Sequence, residues 1–400
     1  MCLALMSTVV YLGYIDEIAS FILAIVAFTD CLINAENRKR YIPLFVLISV
    51  LFCYVLYSIA IGSNGIKYIL IDFVIQIKSF LAFIVIYAIS PILTVSDKKI
   101  ISVICLFNIV GMTVLLFLGN TYIELIVGHI AYCGITIALN SLIFFFCNLD
   151  ENWNIKTSHI ALIVMSFLLG LMCTRSKYYA EFIFFMFMLF VYKPGMMRGF
   201  KFKHLVLILL LFSVIALAVW NKFSYYFITG ESDSVDPDML ESFARPALYA
   251  TGGLIILDYF PFGSGLASFA TYASYVNYSD IYYQYGINKI WGLSPDMHDF
   301  ICDAFYAELA QFGVVGVALF IYFWYWAYQK FKHLTKNENF KNVFIIGACA
   351  LFFILVECTS GTFFIQTPGI IAMMILGFVS AIAREHTTTS AEKKSFKIRL

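Results

Sequence analysis

Long apolar runs separated by short polar connections dominate the chain. A bilayer core of about 30 Å is crossed by about 20 apolar residues in helical form. On that measure spans are predicted near 2–14, 18–34, 41–61, 66–90, 99–118, 122–147, 158–173, 178–193, 204–221, 303–328, 342–359 and 367–384. The first is short enough to dip into the membrane rather than cross it. The pattern therefore predicts an all-α polytopic membrane protein of 11–12 transmembrane helices.

One interruption stands apart. Residues 222–302 are long enough to form a water-exposed structure, and they split the chain into N-terminal spans (1–221), this large loop, C-terminal spans (303–384) and a polar tail (385–400). Within the loop, 222–244 are acidic, and 246–257 form an apolar segment opened by Pro246, which suits the first turn of a helix. That segment is too short to span, so a re-entrant or interfacial helix is expected. A glycine-rich turn, Pro261-Phe262-Gly263-Ser264-Gly265, and a tyrosine-rich stretch to Trp291 follow. From Thr387 onward the tail is expected to be a frayed end. No repeat relates the first and second sets of spans.

Composition agrees with the membrane reading. Of 400 residues, 62% are hydrophobic and 13% charged, with a mean hydropathy of +0.87, whereas soluble domains average about 25% charged residues. The ten cysteines stand singly, without the pairing expected of a disulfide framework or a metal cluster. No cofactor and no nucleic-acid partner are implied, and the chain opens without the basic segment of a cleavable signal peptide.

Orientation follows from Lys and Arg. The connections carrying Arg38–Arg40, Lys98, Lys99, Lys156, Lys193–Lys203, Lys330–Lys341 and the tail hold 19 basic residues, against 6 in the alternate set, with Lys78 inside a span. Cytoplasmic connections are the basic ones. The large loop is thus expected to face the periplasm or cell exterior, together with the turn bearing Arg175.

Candidate chemistry lies on that face. Arg175, in Cys173-Thr174-Arg175-Ser176-Lys177, is either an interface anchor or an anion ligand, with Ser176 and Lys177 as further donors. Arg245 lies in an acidic loop, and is either paired with Glu241 or Asp238 or a second ligand for the same anion. His298 is the loop's histidine. It would accept a proton from an attacking hydroxyl or simply occupy a helix start, with Asp296 and Asp299 orienting the ring or capping. His129, His159, His204, His333 and His386 fall in spans or at basic ends and have weaker claims. Glu308 is an acid in an apolar span, hence a functional candidate, unless it pairs with Lys78. Asp72 resembles it. Ala310, Gly313 and Gly316 form a close-packing stripe. The loop aromatics, among them Tyr225, Tyr226, Tyr249, Tyr259, Tyr272, Tyr275, Tyr278, Tyr282, Tyr283, Tyr285 and Trp291, are interface anchors or a surface for stacking sugar rings.

These residues together resemble a family. The run from Arg245-Pro246-Ala247-Leu248-Tyr249, through Asp258 and Pro261–Phe269, to His298-Asp299-Phe300 and Glu308…Gly313…Gly316 is similar to the C-terminal core of bacterial O-antigen polymerases of the Wzy type and O-antigen ligases. Thr174-Arg175-Ser176 is similar to their upstream Ser/Thr-Arg-Ser turn. Residues 170–320 carry the resemblance, with Asp299 where the pattern has Asn, and Glu308 further from its glycine pair.

The resemblance implies a glycosyltransferase acting on an undecaprenyl-diphosphate-linked oligosaccharide without a metal. Arg175 and Arg245 would neutralise the diphosphate, and His298 would activate or position the acceptor hydroxyl. Lys177, Tyr249, Asp258, Asp299 and Glu308 would bind substrate, and an apolar groove would hold the polyprenyl tail. The expected reaction joins repeat units of O-antigen or capsule in polysaccharide or lipopolysaccharide biosynthesis, alongside a flippase and a chain-length regulator. A ligase that moves polymer onto lipid A core or protein is the nearest alternative, and a glycan flippase or other transporter the next.

Overall fold

A computed structural model describes residues 15–196, 213, 220 and 243–398, with side chains to 387. The predicted spans near 2–14 and 204–221, and the acidic segment 222–242, lie outside the described residues. What is described is helical, with no strand. The protein is an all-α, multi-pass membrane protein, and seven helices among the described residues are long and apolar enough to cross a bilayer.

The principal helices are α1 (Ile15–Ile33), α2 (Ile42–Ile61), α3 (Ile66–Ile89), α4 (Val95–Leu118), α5 (Asn120–Ile126), α6 (Ile130–Cys147), α7 (Thr157–Gly170), α8 (Ser176–Met186), α9 (Ala244–Asp258), α10 (Gly313–Phe331), α11 (Lys341–Glu357) and α12 (Thr367–Ile398). Their ends follow local chemistry. Gly62 closes α2 in the left-handed region at φ +67°, and Thr94 and Asp97 form a reciprocal capping box on α4. Helix α6 is buried nearly all round, and α12 packs along α3, where Gly377 lies against Phe83 and Ile86.

Several predicted spans are redrawn. The span expected over 122–147 is two helices, because Gly119 and Gly128 take positive φ and break the run. The span expected from 303 starts as a short turn (Phe305–Glu308), passes through a tight 3₁₀ segment (Leu309–Phe312), and becomes regular only at Gly313. The tail expected to fray continues α12 as helix to Ile398.

The loop is folded. Helix α9 has 15 residues, a length of about 22 Å at 1.5 Å per residue, short of a bilayer core. It packs with later loop residues into a separate small core of Leu248, Ile255, Phe269, Tyr282, Leu293 and Ile301. The glycine-rich turn is fixed to the bundle by polar contacts. Tyr57 Oη donates to Gly263 O (2.8 Å), Leu266 N to Ser58 Oγ (2.7 Å), Asn64 Nδ2 to Ala267 O (2.7 Å), and Ala267 N to Asp72 Oδ2 (2.7 Å). Gly265 N donates to Gln311 O at 2.9 Å on the other side. Pro261–Ala267 thus acts as a staple between α2, α3 and the start of α10.

Candidate functional site

Two cationic residues, Lys177 and Arg245, are tied to one turn. Helix α11 ends at Glu357, and residues 358–362 carry the chain toward α12. Lys177 Nζ forms an ion pair with Glu357 and donates to Ser360 O at 3.0 Å. Tyr249 Oη donates to Thr359 O at 2.8 Å. Gly361 N donates to Asp303 O at 2.9 Å, and Asp303 Oδ2 accepts from Arg245 Nη2 at 2.8 Å. Arg245 Nε also faces Asp303 O, at 3.2 Å. Arg245, which alternatively pairs with Glu241 or Asp238 on sequence grounds, therefore has Asp303 as a partner; 238 and 241 lie outside the described residues.

Arg175 reaches the same region from α8. The turn before it is sharp, with Thr174 at φ +51°. Helix α8 is seated by Tyr178, which is buried, donates to Phe167 O at 3.0 Å, and fills the space over Gly134 and Gly170. A Cβ at Gly170 would overlap the Tyr178 hydroxyl at 1.9 Å. Glycine there lets α8 approach α7 closely, which sets where Arg175 and Lys177 emerge. Among the described residues Arg175 forms no ion pair; its Nη2 lies 2.8 Å from His129 Nε2. Burial, then the Arg175 charge, hold the His129 imidazole below its ordinary value, while Asp303 and Glu124 pull the other way. Burial pushes the Tyr249 phenol up to about 12 against the pull of Arg245, so it stays a neutral donor.

His298 sits in an aromatic setting. Its ring centroid lies 4.6 Å from that of Tyr275 and 5.8 Å from that of Tyr278, and its Nδ1 is buried without a partner among the described residues. Tyr272 stacks on Tyr275 at 6.1 Å and is 51% exposed, which leaves one open face on this row of rings. Two successive turns, Ile301 N to His298 O and Asp303 N to Phe300 O, link His298 to the aspartate that holds Arg245. The alternative in which Asp296 and Asp299 orient the ring or cap the next helix is not what is seen: Asp299 is exposed, and the segment is shaped by Ser294 pairing with Met297.

Compared with models of known protein families and with curated proteins, the chain matches none.

Other expected residues take structural roles. Glu308 does not pair with Lys78, which binds Asp16 and Glu17 (3.0 Å) at the start of α1. Glu308 is wholly buried, accepts from Gln76, and shares that amide with Asp72 Oδ1 at 3.1 Å. Its second oxygen has no hydrogen-bond partner among the described residues, and the Gln311 amide lies against Asp72. The group lies beneath the glycine-rich staple, and its Gln76 lines the cavity between α2, α3 and α10. Asp258 is exposed and accepts from Tyr285 Oη at 2.7 Å. Tyr282 belongs to the loop core, where it accepts from Ala270 N at 2.9 Å. Tyr278 is tied to Leu293 O at 2.5 Å. Of the tyrosines expected to stack sugars, Tyr272 and Tyr283 remain exposed, as does Trp291; Tyr225 and Tyr226 lie outside the described residues.

Glu357, Asp303 and Glu181, a buried acid of α8, are not singled out on sequence grounds, and His129 has only a weak claim there. Glu181 and Glu357 are acids in apolar helices, which is itself a signal. His129 was assigned to the interior of a span, although the flanking Gly128 marks a break.

A cavity of about 340 Å³ runs between α2, α3 and α10, lined by Val46, Leu51, Phe80, Phe312, Leu319 and Phe323 among others. It opens sideways past Val46, Leu319 and Tyr322, exposed residues of the apolar helices. Phe305 and Phe364 in its wall follow Asp303 and Gly361 closely in the chain.

Proposed function

We propose that the protein is a polysaccharide repeat-unit polymerase that transfers glycan from an undecaprenyl-diphosphate carrier to a sugar hydroxyl of another lipid-linked unit, on the extracytoplasmic face of a bacterial inner membrane. The observation that carries this reading is that Lys177, at the start of α8, bonds to Glu357 and Ser360 while Arg245, on α9, bonds to Asp303, which accepts from Gly361, with Arg175 two residues before Lys177. Three cations at one end of an apolar bundle suit a membrane-tethered diphosphate. Guanidinium forks match phosphate oxygens. They would stabilise the negative charge that grows on the leaving diphosphate as the glycosidic bond to it breaks.

The remaining parts fit around that centre. The lateral cavity has the apolar lining and bilayer access that a polyprenyl chain requires. The Tyr272–Tyr275–His298 row has an exposed aromatic face for sugar rings and an imidazole that would take the acceptor hydroxyl's proton as the new bond forms. The acidic residues paired with Arg245 and Lys177 would yield to the more highly charged diphosphate. Helix α9 would lie at the membrane interface.

Incubating the purified protein with a synthetic lipid-linked repeat unit and sizing the product tests this reading. Elongation without any ion gradient is expected, and Arg175→Ala, Arg245→Ala and His298→Ala are each expected to abolish it while leaving membrane insertion intact. Normal chain lengths in all three variants would overturn the site. In the native host, loss of a polymerase leaves single repeat units on the surface, whereas loss of a ligase leaves long polymer on the carrier.

A further inference from the structure

Arg175 Nη2 and His129 Nε2 lie 2.8 Å apart at an exposed position, and which of the two donates depends on the histidine tautomer. His129 is the N-cap of α6, and its Nδ1 accepts from Ala131 N at 3.3 Å. A neutral imidazole has one lone-pair nitrogen. With Nδ1 used in the cap, the proton is on Nε2, and that N–H faces the Nη2 of Arg175 at 2.8 Å. The opposite tautomer lets Nε2 accept from Arg175, but then turns the Nδ1 proton onto the Ala131 N–H. Either way one donor is left for an acceptor from outside the protein, water or ligand, because His129 is exposed. The charged groups that face the ring are Arg175 and Lys177 at the start of α8, Glu124 of α5 and Asp303, and neither acid is hydrogen-bonded to it. Lys177 and Arg245 have carboxylate partners; Arg175 has none among the described residues.

We propose that His129 is a phosphate-binding residue of the site, its Nε2–H and the Arg175 guanidinium donating together to one phosphate oxygen of a diphosphate. A single anionic oxygen beside the pair satisfies both donors, keeps the α6 cap intact, and gives Arg175 its counter-charge. The inference rests on reading Arg175 as a diphosphate ligand. It adds a side chain from α6 to those from α8 and α9, so that the anion is gripped by the membrane bundle as well as by the loop.

The test separates donation from capping. Equilibrium binding of radiolabelled farnesyl diphosphate is measured on the full-length protein in detergent, with melting temperature as a check on folding. His129→Gln keeps an N–H donor, and His129→Ser keeps an N-cap without the reach. Hydrogen bonds to charged groups predict that His129→Ser weakens binding by about tenfold or more, and that His129→Gln retains most of it. Equal affinity of His129→Ser and wild type, or equal loss in both variants, overturns the proposal. Should His129→Ser not fold, ring ¹⁵N resonances of the wild type decide: the diphosphate must shift a histidine signal that is missing from His129→Gln, and no such shift overturns it. Arg175-dependent binding that is indifferent to His129 refutes this inference alone. Absence of diphosphate binding by the wild type refutes the diphosphate-linked function as well.

Discussion

Gly263 and Gly313 press backbone against backbone. A Cβ on Gly263 would lie 2.3 Å from Ala310 O and from Gly313 N, and one on Gly313 would lie 2.3 Å from Gly263 N. Both residues have positive φ, at +78° and +60°. Tyr57 and Gln311 hold the same turn from either side, so the contact cannot open without losing their hydrogen bonds. The relationship places the loop on the bundle, and with it α9 and Arg245.

Gly263→Ala or Gly313→Ala is therefore expected to cost about 3 kcal/mol or more, from backbone strain and overpacking together. Gly286 is the control: it has φ +70° but open space around it, so Gly286→Ala is expected to cost only about 1 kcal/mol. Thermal unfolding of the detergent-solubilised protein checks the order.

The buried group beneath the staple makes a second prediction. Gln76 donates to both Asp72 and Glu308. Gln76→Leu removes the donor from two buried carboxyls at once and is expected to destabilise by about 2–5 kcal/mol. Glu308→Gln keeps the shape and removes one of the two acids, so a smaller loss is expected. If Glu308→Gln proves the more damaging in unfolding, the Glu308 carboxyl and not the Gln76 donor holds the group together.

Coupling between Lys177 and Glu357 is the third. The carboxylate is buried and the ammonium about four-fifths buried, at 5% and 21% side-chain exposure. Removing one partner leaves the other charge uncompensated, which is expected to cost about 3 kcal/mol or more. The double variant Lys177→Met/Glu357→Met is expected to recover much of that loss, and a double-mutant cycle on unfolding reads it.

His129 supplies the pH dependence. Burial and Arg175 lower its proton affinity below the ordinary 6.5. The unfolded ring takes a proton first, so this group destabilises the fold as pH falls from about 6.5 toward its folded value, and has no such effect above that window. Diethyl pyrocarbonate reacts with the neutral ring. Labelling of His129 should persist at lower pH than for an ordinary histidine, and Arg175→Ala should move its midpoint upward. An unchanged midpoint in that variant would show that the two side chains do not interact.

Much was legible because it rests on chemistry local in sequence. A span needs about 20 apolar residues whatever it packs against, so most membrane helices and the helical segment after Arg245 could be placed from the pattern. Arg175 and Arg245 stood out because basic residues are scarce in the loop-face connections. The break at Gly128 was lost because one glycine barely alters the mean hydropathy of a long window.

The sequence by itself determined the membrane architecture, the folded loop's helix and the candidate cations Arg175, Lys177 and Arg245. The tertiary structure decided which partners those cations have. Asp303, Glu357 and His129 come to them from elements far apart in the chain, through contacts set by glycine-permitted close packing at Gly170 and Gly263. It also decided that Glu308 lies buried with Asp72 and Gln76, and Tyr282 inside a core. No local pattern records such assignments, because they depend on which faces meet after the chain has folded.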